Sequence, residues 1–185
     1  MRKILSALTL IKRALISHFN TYCVLVFSRH VIFGKKTSLG SGVSIRTYDG
    51  GKITIGDNVS IEQDVEIVAQ GSTILIGDSV FIGRGCQIIA KQFISVGNDS
   101  QIASYCVIRD ANHKMERNDL IRIQGYAVQP ISIGEDVWIG SQSSIIMGAK
   151  INNGCVVGAN SLINKELVGY GVYVGSPAKL LKFRS

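Results

Sequence analysis

An aliphatic residue recurs every six positions along most of this 185-residue chain, and this period limits what the chain can fold into. The positions fall in runs, which are Phe33, Leu39, Ile45; Ile55, Ile61, Ile67; Ile76, Ile82, Ile88; Val96, Ile102, Ile108; and Ile133, Ile139, Ile145, Ile151, Val157, Ile163. Six residues rotate an α-helix by about 240°, so no face of a helix keeps this period. A coil of very short strands joined by turns does keep it, because each unit supplies one inward aliphatic residue and stacked coils pair their backbones.

The irregular steps group these units into threes. After the third unit of the first four runs, the step is not six but 10, 9, 8 and 25 residues. The extra residues therefore leave from one corner of a triangular coil, stacked above one another, and the triplets at 133–150 and 151–168 have no insertion. The spacing predicts an all-β, parallel β-helix over residues 32–168, with about six coils and a height of about 25–30 Å.

The longest insertion is a polar loop at 109–132. It contains His113, the only histidine after residue 30. Long loops on a rigid repeat scaffold are usually functional or disordered. Imidazole titrates near neutral pH and can take a proton from a hydroxyl, so His113 is a candidate general base. The alternative is a solvent-exposed loop histidine without a catalytic role.

The basic character of the chain is confined to its N-terminal segment. Residues 1–36 contain seven of the 20 basic residues and no acid, which leaves 13 basic and 13 acidic residues after them. We therefore expect no nucleic-acid partner, because a nucleic-acid surface would be spread over the body of the fold. Residues 1–31 are predicted to be a basic amphipathic helical segment, which either contacts an anionic membrane or caps the open end of the main body. The longest uncharged run, 14–28, is too short for a membrane span, which needs about 20 apolar residues.

The cysteines and histidines do not predict a metal site. The four cysteines have neither a CxxC pair nor the spacing of metal ligands, and are interpreted as reduced thiols of a cytosolic protein: Cys23, Cys86, Cys106 and Cys155. A zinc site of the γ-class carbonic anhydrase type would need three histidines from the coils, and only His18, His30 and His113 are present. We expect no metal cofactor.

Four motifs in the second half of the chain carry a family resemblance. They are DANH (110–113), IRIQGYAVQPISIGEDVWIGSQSSI (121–145), GCVVGANSLINKEL (154–167) and VGSPAKLLKFR (174–184). With them the chain resembles the hexapeptide-repeat O-acetyltransferases, especially those of capsule, exopolysaccharide and O-antigen synthesis. The resemblance implies a left-handed coil, acetyl-CoA (coenzyme A) as co-substrate, a carbohydrate acceptor and a homotrimer with each site between two subunits.

The resemblance also implies roles for single residues. His113 matches the catalytic base, with Asp110 and Asn112 in the positions before it, although many relatives have Asp where this chain has Asn112. The residues that match the coenzyme A site, including a C-terminal tail at 169–185, are Trp138, Gly140, Ser141, Ala159, Lys165, Ser176, Pro177, Lys179, Lys182 and Arg184. Residues placed near the acceptor, because they precede or flank the loop in neighbouring coils, are Arg84, Gly85, Tyr105 and Arg109.

The expected reaction is direct acetyl transfer to a sugar hydroxyl of a cell-surface polysaccharide or its precursor. His113 would remove the hydroxyl proton, and a backbone N–H at position 140 or 141 would stabilise the oxyanion, an effect of about 3 kcal/mol. The alternatives are a small-sugar acetyltransferase of the maltose or galactoside type, an antibiotic acetyltransferase, and a non-enzymatic β-helix scaffold. The expected location is the cytoplasm, with peripheral contact at the inner face of the membrane through residues 1–36.

Overall fold

The structure is a computed structural model that describes Leu15 and residues 30–185. The predicted helical segment at 1–31 lies outside the described residues, apart from Leu15, which is helical and exposed, and residues 30–31. No helix among the described residues is long and apolar enough to cross a membrane.

Residues 31–174 wind through successive short strands. In chain order the strands are β1 (Val31–Phe33), β2 (Ser38–Leu39), β3 (Ser44–Tyr48), β4 (Lys52–Ile55), β5 (Ser60–Ile61), β6 (Glu66–Gln70), β7 (Thr73–Ile76), β8 (Phe81–Ile82), β9 (Gln87–Ala90), β10 (Phe93–Val96), β11 (Gln101–Ile102), β12 (Val107–Arg109), β13 (Ala111–His113), β14 (Tyr126–Val128), β15 (Ile131–Ile133), β16 (Trp138–Ile139), β17 (Ser144–Ile146), β18 (Lys150–Ile151), β19 (Val156–Val157), β20 (Leu162–Ile163), β21 (Glu166–Leu167), β22 (Gly171–Val174) and β23 (Lys179–Phe183).

The strands form three sheets, which are the three faces of a prism. Face 1 is β1-β4-β7-β10-β15-β18-β21, face 2 is β2-β5-β8-β11-β16-β19-β22-β23, and face 3 is β3-β6-β9-β12-β17-β20. Neighbouring strands on a face are parallel and come from successive coils, except that β23 turns back antiparallel to β22. The predicted parallel β-helix of about six coils is confirmed, and the architecture is consistent with the left-handed form. After β20, strand β21 at 166–167 extends face 1, and β22 extends face 2 past residue 168.

The residues of the six-residue period form the core. All 18 predicted positions are buried except Phe33, which is partly buried and packs against the others. Parallel pairing places like residues directly above one another, as in the column Ile61–Ile82–Ile102 on face 2. Burial of each such side chain contributes about 1.5–3 kcal/mol, which explains why the sequence keeps its period so strictly.

The three corners of the prism have different lengths. Corner 1–2 joins face 1 to face 2, corner 2–3 joins face 2 to face 3, and corner 3–1 leads into the next coil. Corners 1–2 and 2–3 are tight turns whose third residue has a positive φ, for example Asn58 at 57° and Gln142 at 62°. The insertions at 49–51, 71–72, 91–92 and 110–130 all lie at corner 3–1, as the spacing predicts.

The longest insertion is an ordered arm rather than an irregular loop. Strands β13 and β14 pair antiparallel into a two-stranded ribbon, and a 3₁₀-helix (Ile121–Ile123) lies near its tip. The side chain of Gln124 closes the tip, since it accepts from the Glu116 N–H at 2.7 Å and donates to the Asp119 carbonyl at 2.7 Å. The six-residue period could not indicate this ribbon, because its pairing is local and follows a different pattern.

Candidate functional site

The base of the arm is fixed by Asp110. Its side chain is fully buried, and its two carboxylate oxygens accept the backbone N–H groups of Lys91, Gln92 and Phe93 at 2.7–2.8 Å. The carboxylate therefore holds corner 3–1 of the preceding coil and is turned away from any ligand on the surface. The resemblance places Asp110 among the catalytic residues. In the structure Asp110 is buried and positions the base of the arm.

His113 lies exposed on β13, three residues after Asp110. It is opposite Tyr126 in the ribbon, and the two rings have centroids 4.5 Å apart with planes tilted by 41°. The Nζ of Lys91 lies 4.1 Å from the centroid of the same tyrosine ring. Asn112 is also exposed and is paired with Ala127, and Arg109 is exposed at the end of β12. The imidazole can therefore reach a substrate hydroxyl presented from outside the prism.

Most of the predicted coenzyme A residues meet on face 2 and corner 2–3. Trp138 projects from face 2 and is 56% exposed, between Gln101 of the coil before and Val156 of the coil after. Gly140 and Ala159 are stacked at corner 2–3, where a Cβ added to Gly140 would lie 2.5 Å from the Ala159 nitrogen. Ser176 and Pro177 are exposed in the turn that ends this stack.

The backbone N–H groups at corner 2–3 differ in what they can bind. The Gly140 N–H donates to the Val157 carbonyl at 2.7 Å, so it cannot also stabilise an oxyanion. The N–H groups of Ser141 and Ala159 donate no hydrogen bond within residues 30–185. Of the two positions expected to stabilise an oxyanion, only 141 has an N–H free to do so.

The predicted cations separate into two groups. Lys179 and Lys182 lie on β23 at the end of face 2, are exposed, and take part in none of the three ion pairs within residues 30–185. Arg184 is committed elsewhere, because its Nη1 donates to an Asp136 carboxylate oxygen and to the Gly154 carbonyl, each at 2.9 Å, at corner 1–2. Lys165 is exposed at corner 3–1 of the sixth coil. In a single chain, neither Arg184 nor Lys165 joins the cluster at corner 2–3.

The predicted acceptor residues Arg84, Gly85 and Tyr105 also lie at corner 2–3, in the third and fourth coils. Tyr105 is 55% exposed and has a φ of 63°, a conformation that is uncommon for a bulky side chain. Its ring lies on Gly85, where an added Cβ would come within 2.6 Å of two ring carbons. Arg109, by contrast, lies on face 3 close to the arm.

The buried thiols are structural. Cys86, Cys106 and Cys155 are unpaired and buried, whereas Cys23 lies outside the described residues. A hydrogen bond with Cys106, together with burial, raises the pKa of the Cys86 thiol. Cys106 donates to the Gly140 carbonyl at 3.2 Å and has no exposed surface, so it is not placed to attack a thioester.

An open concavity beside the arm was not predicted from the sequence. It has a volume of about 460 Å³ and lies between the return of the arm and face 1, lined by Phe93, Gln129, Pro130, Ser132, Gly148, Ala149 and Lys150. The contact of the Lys91 ammonium with the Tyr126 ring was also missed. Both features depend on how the arm folds back, which the repeat period does not specify.

The two halves of the candidate site lie at different corners of one chain. His113 extends from corner 3–1, whereas Trp138, Ser141 and Ala159 lie on face 2 and corner 2–3. Within residues 30–185, no group of three or more His, Cys, Asp or Glu side chains is arranged to hold a metal ion.

A protein-family model matches a segment in the second half of the chain. Residues 130–165 match the family model described as "Bacterial transferase hexapeptide (six repeats)". This segment therefore carries the hexapeptide repeat of that family. The matched segment covers coil 5 and most of coil 6, which contain Trp138, Ser141 and Ala159.

Two relatives and one solved structure extend the match to the rest of the fold. A probable acetyltransferase of Mycobacterium tuberculosis is 34% identical over 157 residues, which are 84% of this chain and 52% of that protein. WbbJ of Escherichia coli K12, a putative lipopolysaccharide biosynthesis O-acetyl transferase, is 29% identical over 161 residues, covering 81% of this chain and 70% of WbbJ. The chain therefore spans about half the length of the mycobacterial relative.

The solved structure is a single-residue mutant of AntD, an N-acyltransferase from Bacillus cereus, in complex with dTDP-4-amino-4,6-dideoxyglucose and coenzyme A. It superposes with a TM-score of 0.77 at 22% identity, over 89% of each chain. At this identity the likeness establishes a common fold.

Proposed function

We propose that this protein is an acetyl-CoA-dependent O-acetyltransferase that acts on a hydroxyl of a sugar in a cell-surface polysaccharide or its precursor. The observation that carries the proposal is the row of outward N–H groups at corner 2–3, at Ser141 and Ala159, next to the exposed ring of Trp138. Such a row suits the amide groups of a pantetheine arm, and Lys179 and Lys182 at the end of face 2 suit the phosphates of coenzyme A.

His113 supplies the base in this proposal. The neutral imidazole accepts the proton of the sugar hydroxyl as its oxygen attacks the thioester carbonyl. The tetrahedral oxyanion that forms then collapses, the bond from carbon to sulfur breaks, and the departing thiolate takes up the proton held by His113. No residue of the chain is acylated, in keeping with the burial of Cys106.

The placement of the two half-sites supports the proposal of a homotrimer. Because His113 and the Ser141 corner lie at different corners of one prism, we propose that the arm of one subunit reaches corner 2–3 of its neighbour. Three-fold closure repeats this contact three times and gives three equivalent sites. The choice of a polysaccharide acceptor is supported by the likeness to WbbJ along most of the chain.

The test is thiol release from acetyl-CoA with a panel of sugars, nucleotide sugars, oligosaccharides and chloramphenicol, comparing wild type with His113→Ala. We expect a sugar to accelerate release, and His113→Ala to lose roughly 100-fold or more while it still binds coenzyme A. Full activity of His113→Ala on a good acceptor would remove His113 from the mechanism. If only chloramphenicol accelerates release, the antibiotic alternative replaces the sugar.

We also propose that residues 1–36, with seven cations and no acid, contact an anionic membrane surface from the cytoplasmic side. Deletion of residues 1–30 should abolish sedimentation with liposomes that contain phosphatidylglycerol, while activity on soluble acceptors is kept. Unchanged sedimentation of the deletion variant would contradict this contact.

A further inference from the structure

Three side chains form a stack at the base of the arm. The Tyr126 ring contacts the imidazole of His113 at a centroid distance of 4.5 Å, and the Lys91 ammonium lies 4.1 Å from the centroid of the same Tyr126 ring. Tyr126 and His113 are on opposite strands of the ribbon, whereas Lys91 belongs to the body of the prism, one coil before the arm. The stack therefore connects the exposed histidine to the rigid part of the fold.

Lys91 is itself held from two sides. Its Nζ donates to Oε1 of Gln70 at 2.6 Å, one coil further back along corner 3–1. Its backbone N–H donates to Asp110 at 2.7 Å, and Asp110 also begins the arm. The ammonium is thus placed by the same contacts that fix where the arm leaves the prism.

His113 needs such support because neither a two-stranded ribbon nor the side-chain torsion of a histidine fixes the imidazole by itself. A two-stranded ribbon alone is marginally stable in water, and the rotation of an imidazole about its last side-chain bond is broad. A general base must hold its nitrogen within hydrogen-bond reach of the substrate hydroxyl, and a displacement of about 1 Å can cost on the order of 100-fold in rate.

We propose that Tyr126 and Lys91 are positioning residues for His113, which orient its imidazole through the stack of ammonium, phenol ring and imidazole. The proposal rests on the proposed function, in which His113 is the base. Neither residue needs to touch the substrate. The phenol ring sets the plane against which the imidazole packs, and the ammonium holds that ring on the prism through a cation–π contact.

The kinetic test compares Tyr126→Leu, Tyr126→Phe and Lys91→Met with wild type on the best acceptor. For Tyr126→Leu we expect kcat to fall by about tenfold or more, with the acceptor KM within about twofold, because the base is misplaced while the binding surface remains. Tyr126→Phe keeps the ring and should stay within about twofold of wild type. Lys91→Met, outside the ribbon, should lower kcat by about threefold to fivefold, again without a change in KM.

Matched controls exclude a general effect of losing a tyrosine or a lysine. Tyr48→Leu and Lys52→Met alter exposed residues in the first and second coils, away from the arm, and should leave kcat unchanged. A fall in kcat of the same size in these controls would overturn the positioning role.

A second readout does not depend on activity. The chain has only three histidines, so the imidazole proton resonances of His113 can be assigned by their loss in His113→Ala. The ring current of Tyr126 should displace these resonances, and Tyr126→Leu should move them toward free-histidine values while Tyr126→Phe leaves them in place. Lys91→Met should move the His113 resonances partway. If Tyr126→Leu and Lys91→Met both leave these resonances at their wild-type positions, the proposal is overturned.

The two proposals fail in different ways. If His113→Ala retains full activity, the proposed function fails, and the resonances alone then report whether the stack exists. If His113→Ala loses activity but Tyr126→Leu keeps the wild-type kcat, the base stands and the positioning role falls. If Tyr126→Leu unfolds the arm, Lys91→Met decides, since a wild-type kcat in that variant contradicts the proposal.

Discussion

Corners 1–2 and 2–3 have the same turn, but the backbone N–H of the second turn residue has different hydrogen-bond partners at the two corners. At both corners this N–H takes no part in the backbone hydrogen bonds between coils. At corner 1–2 the side chain of an aspartate or asparagine in the following coil accepts it in four of the six coils, in the pairs Lys35 to Asp57, Asp57 to Asp78, Asp78 to Asn98 and Glu135 to Asn153. At corner 2–3 the N–H groups of Ser104, Ser141 and Ala159 donate no hydrogen bond within the described part of the chain.

The difference comes from one side chain per turn. Corner 1–2 carries Asp, Asn or Glu at the second turn position from the second coil to the sixth, whereas corner 2–3 carries Gln63, Arg84, Ser104, Ser141 and Ala159. A short carboxylate or amide can reach back to the N–H below it, while Ser and Ala cannot. The repeat thus satisfies the N–H groups of most turns at corner 1–2 with its own side chains, apart from those of Asn98 and Asn153, and leaves corner 2–3 with donors for a ligand.

Corner 3–1 at the arm is the strongest case of a closed corner, since Asp110 accepts three N–H groups at once. Asp110→Asn places an amide group, itself a donor, against one or two of these N–H groups in a buried position. We expect a loss of about 2–3 kcal/mol in the free energy of unfolding, because buried donors are left without an acceptor. Urea unfolding of wild type and Asp110→Asn measures this loss of stability.

The control for this change is Asp119→Asn at the exposed tip of the arm, which should alter stability by less than about 0.5 kcal/mol. Equal stabilities for the two variants would mean that Asp110 does not hold the corner. The Asp110 variant should also lose activity through His113, since the arm begins at this residue.

Proline in the second turn position tests the open corner directly. Glu135 and Ser141 are matched, because each lies in the fifth coil, follows a glycine and precedes a residue with positive φ, Asp136 at 52° or Gln142 at 62°. This is the turn position that proline favours, so either variant should fold. Ser141→Pro removes a free N–H and should weaken coenzyme A binding about tenfold without loss of stability.

Glu135→Pro should do the reverse, because its N–H is bonded to Asn153 at 3.0 Å. We expect coenzyme A to bind as in wild type and the free energy of unfolding to fall by about 1 kcal/mol. Calorimetric titration with coenzyme A and urea unfolding measure the two effects. If both variants lose coenzyme A binding equally, corner 2–3 is not the ligand corner.

The sequence predicts the features that repeat and misses those that occur once. The period placed Ile102 and its equivalents in the core, and the unequal steps placed every insertion at corner 3–1, because each depends only on counting. The inward turn of Asp110 and the capture of Arg184 by Asp136 depend on contacts between residues far apart in the chain. One signal for Asp110 was present: it stands where the preceding two coils have the buried Ala69 and Ala90.

The smallest predicted effect compares one turn residue of corner 1–2 with one of corner 2–3 in the same coil. Asn98 and Ser104 are both half-buried turn residues of the fourth coil, but the Asn98 side chain accepts the Asp78 N–H at 2.8 Å whereas the Ser104 side chain makes no hydrogen bond among residues 30–185. Asn98→Ala should therefore lower the free energy of unfolding by about 1 kcal/mol, and Ser104→Ala by no more than a few tenths. Urea unfolding of the two variants side by side measures the difference. If Ser104→Ala costs as much as Asn98→Ala, the two corners are closed alike, and the open donors of corner 2–3 can no longer be assigned to a ligand.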